Sequence, residues 1–167
     1  MTLVSTVTVG SGGAASIEFT GIAGTGKDLL LLVSSRADNF NGKLTFNGNT
    51  SSYSYRNLYG SGSAATSGND SGASALTILA LHEPKDFNGV NNTVGIVSNG
   101  SIYISNYAGS ANKSVSVDTV IEFNGTESYQ TLLAGLWANS AAITSVKIES
   151  NSGNILQHSS VSLYIIS

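Results

Sequence analysis

The feature that most constrains this chain is its rhythm: short segments with a two-residue apolar period, cut repeatedly by Gly- and Asn-rich turns. A period of two is that of a strand with one face buried, and no long stretch carries the three-to-four spacing of an amphipathic helix. Thr2 to Val9 is a β-branched run that stops at Gly10-Ser11-Gly12-Gly13. Ala14 to Thr20 sets Ile17 and Phe19 against Ser16 and Glu18. Asp28 to Arg36 (DLLLLVSSR) is almost continuously apolar, which predicts a central strand buried on both sides. Further strands are expected over Gly42 to Asn47, Ser51 to Tyr59, Leu76 to Leu81, Thr93 to Ser98, Ser101 to Tyr107 and Lys113 to Phe123. The last third adds Ile143 to Glu149 and Gln157 to Ile166.

Ser128 to Ala138 has helix formers in Leu132, Leu133, Ala134 and Leu136. Tyr129, Thr131 and Trp137 favour a strand, and Gly135 costs a helix about 1 kcal/mol relative to alanine. The expectation is a strand. Asn47-Gly48, Asn99-Gly100 and Asn124-Gly125 are expected turns. Gly60 to Ser74 reads as a long Ser/Gly/Ala/Asn loop, and loops of that length are usually functional or mobile.

The pattern predicts an all-β, antiparallel, jelly-roll-like β-sandwich of roughly nine to eleven strands. Residues 1–13 are expected to be an N-terminal arm on a glycine hinge, and residues 14–167 a single sandwich domain. The predicted core holds Ile17, Phe19, Leu30, Leu32, Leu44, Phe46, Ile78, Ile102, Ile104, Val115, Val117, Leu133, Trp137, Ile143, Val146 and Leu163.

Charge narrows the function. Only 10% of the 167 residues are charged, so Ser, Thr, Asn and Gly must cover the surface. The net charge is -3, and Lys27, Arg36, Lys43, Arg56, Lys85, Lys113 and Lys147 stand singly, so no phosphate-neutralising cluster forms and nucleic-acid binding is not expected. There is no cysteine, hence no disulfide or thiolate metal site. No apolar run approaches a membrane span and no signal-like segment opens the chain, so no membrane partner is expected, and synthesis is assigned to the host cytosol.

Motifs with chemistry are few. Gly21-Ile22-Ala23-Gly24-Thr25-Gly26-Lys27-Asp28 has phosphate-loop spacing, but it puts Asp28 where a magnesium-holding hydroxyl belongs and leads into a strand. It reads as a glycine-rich turn. His82 and His158 have no metal-ligand spacing. Asp38 to Gly42 and Asp86 to Gly89 offer calcium-type oxygens without the EF-hand order, and Asx turns account for them. No Gly-x-Ser-x-Gly elbow occurs, and Glu18, Asp118, Glu122 and Glu127 are expected to be ordinary strand carboxylates. No catalytic residue, metal or cofactor is assigned. Tyr53, Tyr55 and Tyr59, with Tyr103 and Tyr107, fit either half-buried packing or an interface more readily than a sugar-stacking platform. The candidate interface residues are Leu3, Val4, Val7, Val9, Tyr53, Tyr55 and Tyr59.

Several segments together carry a likeness: SIEFTGI with DLLLLVSSR, LTFNGN with YSYRNLYGSGS, IYISNYAGSANKSVSVDTV, AGLWANSAAITSVKI and GNILQHSSVSLYII. From about Ser16 onward the chain resembles small structural proteins of tailed bacteriophages, which commonly carry a proline where this chain has Ile22-Ala23-Gly24. The resemblance implies a virion component without enzymatic activity. Decoration (cement) of the major capsid protein shell is the expected role, because the chain shows no heptad stretch and no shaft repeat. A tail-associated, receptor-binding protein recognising a host glycan is the alternative, and a glycan hydrolase the third. The expected partners are sister copies, as a homotrimer, and other virion proteins.

Overall fold

The structure, a computed structural model, describes residues 1–38, 41–60, 62–78, 97–122 and 128–167. Among them there is no helix, and twelve strands are present. These are β1 (Thr2–Thr8), β2 (Ser16–Phe19), β3 (Asp28–Ser35), β4 (Gly42–Phe46), β5 (Tyr53–Gly60) and β6 (Ala65–Ala73). They continue as β7 (Leu76–Ile78), β8 (Ser98–Ile104), β9 (Lys113–Glu122), β10 (Ser128–Trp137), β11 (Val146–Ser150) and β12 (Ser160–Ile166). One antiparallel sheet of eight runs β1-β12-β3-β8-β9-β10-β5-β6, and a second sheet of four runs β2-β11-β4-β7. The protein is a two-sheet antiparallel β-sandwich.

The inward faces meet in one apolar core. β10 shows the sorting most clearly, because its ten residues alternate exposed and buried without a fault. Leu133 and Trp137 point inward, where Trp137 packs 5.5 Å from Phe46 of the small sheet and 6.2 Å from Tyr53 of the large one. A Cβ on Gly135 would come within 2.9 Å of the Leu76 side chain, so the small sheet rests on the large one at that glycine. Tyr53 is itself inside. Its hydroxyl accepts from the Phe46 amide at 2.8 Å and donates to the Asn49 carbonyl, linking the sheets with its one polar atom.

The expected strand over Ser128 to Ala138 is therefore present, while three other expectations need correction. In β3 the buried apolar residues are Leu29, Leu31 and Val33, whereas Leu30 is half-buried and Leu32 exposed. The strand is central, between β12 and β8, but only one of its faces is covered. An unbroken leucine run contains no alternation from which to choose the phase. Asn99-Gly100 is not a turn but lies within β8, with Gly100 opposite Thr119. The glycine is needed there because a Cβ would meet Asp118 O and Thr119 Cγ2 at 2.5 Å. Gly60 to Ser74 is mostly β6, held to β5 by main-chain pairing that needs no apolar residues. Tyr107, for which packing or an interface was expected, is fully buried, which is the packing alternative.

Asn47 and Gly48 do form the expected turn, both with positive φ (53° and 65°). Asn47 also accepts at Oδ1 from the amides of Thr144 (2.8 Å) and Ser145 (3.0 Å), fastening the β10–β11 connection. The Thr93 to Ile96 part of one expected strand, Leu79 to Leu81, Asn124-Gly125 and the Asp86 to Gly89 turn lie outside the described residues.

Candidate functional site

The small sheet covers only the inward face of the large one, so the outward face of the eight-stranded sheet is the broadest surface the fold presents. Its residues line up in rungs across the strands. Thr6 of β1 pairs with Ser162, which pairs with Leu32, and Leu32 pairs with Ser101. Ser101 then faces Asp118, Asp118 faces Leu132, Leu132 faces Leu58, and Leu58 faces Ser67 on the far edge. One row of side chains thus crosses all eight strands, a span of about 34 Å at the usual strand spacing. With strands some seven residues long, the face offers on the order of 800 Å², one partner's share of a standard protein interface.

That face is apolar where a solvated one would be polar. Leu58 is 56% exposed, Leu132 45% and Leu32 43%, and Leu136, Val120 and Tyr103 join them on neighbouring rungs. Between the leucines sit short polar side chains and two charges. Asp118 accepts from Gln130 Nε2 at 3.5 Å. Arg56 donates through Nη1 to the Tyr55 carbonyl at 2.8 Å and lies against β6. A depression of about 700 Å³ sinks between them, lined by Arg56, Leu58, Ser67, Asn69, Leu132 and Ala134. A second, of about 410 Å³, lies between Leu32, Asn99, Ser101, Asp118 and Val120.

At the end of the face Tyr103 donates its hydroxyl to Asp28 at 2.6 Å, and the Asn106 amide donates to the same carboxylate at 2.8 Å. The Tyr103 hydrogen bond, then the Asn106 amide and the nearby Lys27 charge, hold the Asp28 carboxyl below its ordinary range. The same bond raises the Tyr103 hydroxyl, which stays protonated.

The residues singled out by sequence are dispersed. Leu3 and Val4 are exposed on β1, Val7 is half-buried, and Val9 is buried in the core just beyond the strand. Tyr53 is inside the sandwich. Tyr55 packs half-buried against the core, and Tyr59 lies on Tyr129, ring centroids 5.2 Å apart. These three tyrosines share the inward face, which realises the packing alternative. Of the tyrosines considered, Tyr103 alone faces outward and is exposed.

Lys27 lies in a turn that runs into strand β3 rather than into a helix. Gly26 serves that turn sterically, because a Cβ there would collide with Ile165 and Ile166. Glu18 is exposed on the outer side of the small sheet, so it and Asp118 stand on opposite sides of the sandwich. Among the described residues no three His, Cys, Asp or Glu side chains are grouped to hold a metal ion.

The outward leucines escaped the sequence reading. The available signal was a strand apolar at consecutive positions, Leu132 and Leu133, whose alternation turns one of the two to the outward face. No protein-family model matches the chain, and no curated protein or solved structure similar to it was found.

Proposed function

We propose that this chain is a non-catalytic virion structural protein, a capsid decoration protein that lies on the major capsid protein shell by the outward face of its eight-stranded sheet. The observation that carries the reading is the rung containing Leu32, Leu132 and Leu58, exposed on a face whose central rungs carry two charged side chains, Asp118 and Arg56. An interface core is depleted of charge in this way, whereas a permanently solvated sheet face is normally polar. The likeness to small structural proteins of tailed phages supplies the setting. Sister copies, arranged as a trimer, would multiply a modest face into a strong attachment.

The deciding experiment is a reconstruction of the parent particle together with a binding assay on shells stripped of this protein. Density on the shell, and loss of binding in Leu58→Lys/Leu132→Lys with the fold intact, is the expected result. Density confined to the tail tip would replace this reading with receptor binding, and undiminished shell binding by the double variant would remove the outward face from it.

A further inference from the structure

We infer that β1 is an exchangeable strand: one copy of the chain lends its β1 to the β12 edge of another. The inference is independent of the particle reading, since it concerns a different edge of the molecule and is read without any particle.

Three observations carry it. First, β1 is held almost wholly by its backbone. Six of its seven residues are exposed, only Val7 is half-buried, and among the described strands its hydrogen-bonded neighbour is β12 alone. Leaving β12 uncovers the half-buried Val7 and, beyond the strand, Val9, and docking on a sister copy buries the same groups again. Any copy's β12 presents an identical acceptor, so the replacement strand fits by construction.

Second, the connection is built to open. The Gly13 amide bonds to the Gly10 carbonyl at 3.0 Å, closing the turn that leads to β2 in the other sheet. Gly13 needs to be glycine, with φ of +68° and a would-be Cβ 3.1 Å from the Ile155 carbonyl. Gly10 and Gly12 do not: neither has positive φ, and a Cβ on either would meet nothing within 4 Å. The closed turn makes no demand for two of its three glycines. An opened, extended segment uses their freedom.

Third, the edge is uncharged but not flat. Thr2–Thr8 has no lysine, aspartate, glutamate or proline to deter pairing. Yet the register slips between Leu3 and Ser5, and a bulge there twists the free edge away from a second edge. Replacing β1 is therefore favoured over adding a strand outside it.

The chain has no cysteine, which permits a direct test. Thr6 and Ser162 are register partners with hydroxyls 2.8 Å apart. Chains carrying Thr6→Cys alone and Ser162→Cys alone are mixed at about 100 µM, annealed and oxidised, with the double variant as the geometric control. The expected result is a mixed disulfide-linked dimer as the main crosslinked species, formed more slowly when Gly10 and Gly12 are both alanine. A double variant that closes within single chains while the mixture gives no dimer overturns the proposal. So does a Thr6→Cys homodimer in excess, which would mean edge-on-edge pairing. A separate measurement does not depend on disulfide geometry: deleting residues 12–13 prevents the closed turn and should convert the chain to an oligomer by light scattering. A folded monomer after that deletion also overturns the proposal.

Discussion

Leu132 and Leu58 stand directly opposite each other on β10 and β5, and about half of each side chain's surface remains in water. A cross-strand apolar pair contributes a few tenths to about 1 kcal/mol to a sheet even when exposed. Their replacement by serine should therefore cost little, within about 1 kcal/mol by urea denaturation, while removing the most exposed apolar surface of the face. Trp137→Ala, on the same strand but inward, should cost about 3–5 kcal/mol. Equal losses in the two variants would show that the outward leucines are covered within the folded chain.

The buried Tyr107 hydroxyl accepts from the Gly26 amide at 3.2 Å and donates to the Ala23 carbonyl, so one side chain secures the Gly21 to Lys27 turn. Tyr107→Phe should destabilise the chain by about 1–3 kcal/mol, because it leaves those groups without their partner. Hydrogen exchange should accelerate at Gly26 more than in β10.

Gly100→Ala tests the close approach of β8 and β9. The added methyl would meet the Asp118 carbonyl oxygen and the Thr119 side chain at 2.5 Å, and a main-chain oxygen in a central ladder cannot step aside. A loss of about 1–3 kcal/mol in chemical denaturation is expected. A neutral result would mean that the two strands are spaced more widely.

Acid should loosen the tie between Asp28, Tyr103 and Asn106. The folded carboxyl titrates below the ordinary value of 3.8, at which the unfolded chain takes up its proton. The tie thus contributes fully above that value and is lost as the pH falls through the lower, folded one. Asp28→Asn should be less stable than the parent at neutral pH, and the difference should shrink through the acid range. A difference constant with pH, followed by denaturation at each pH, would show that the carboxylate charge plays no part.

Much of the fold was legible because most strands have one covered face. Ile17 and Phe19, Leu44 and Phe46, Ile102 and Ile104, and Val115 and Val117 are all buried as their alternation requires. The rest depended on partners that a linear pattern does not carry. Leu29 and Leu31 rather than Leu30 and Leu32 turn inward, in register with Ile102 and Ile104 on one side and Leu163 on the other. β6 is invisible in ATSGNDSGA because an edge strand can be held through its main chain alone. Lys113 is another case, a lysine with no exposed surface whose ammonium donates to the Gly109 and Ala111 carbonyls. Burial lowers its pKa, and nothing in its sequence setting marks it as an internal loop clamp.

The pairing of β1 with β12 also imposes an order on biosynthesis. β1 is translated well before its partner β12, and β3 likewise waits for β12 on one side. Until β12 is translated, the nascent chain therefore carries β1 as an unpaired, uncharged strand. On a polysome, the completed β12 edge nearest to that strand can belong to the chain ahead.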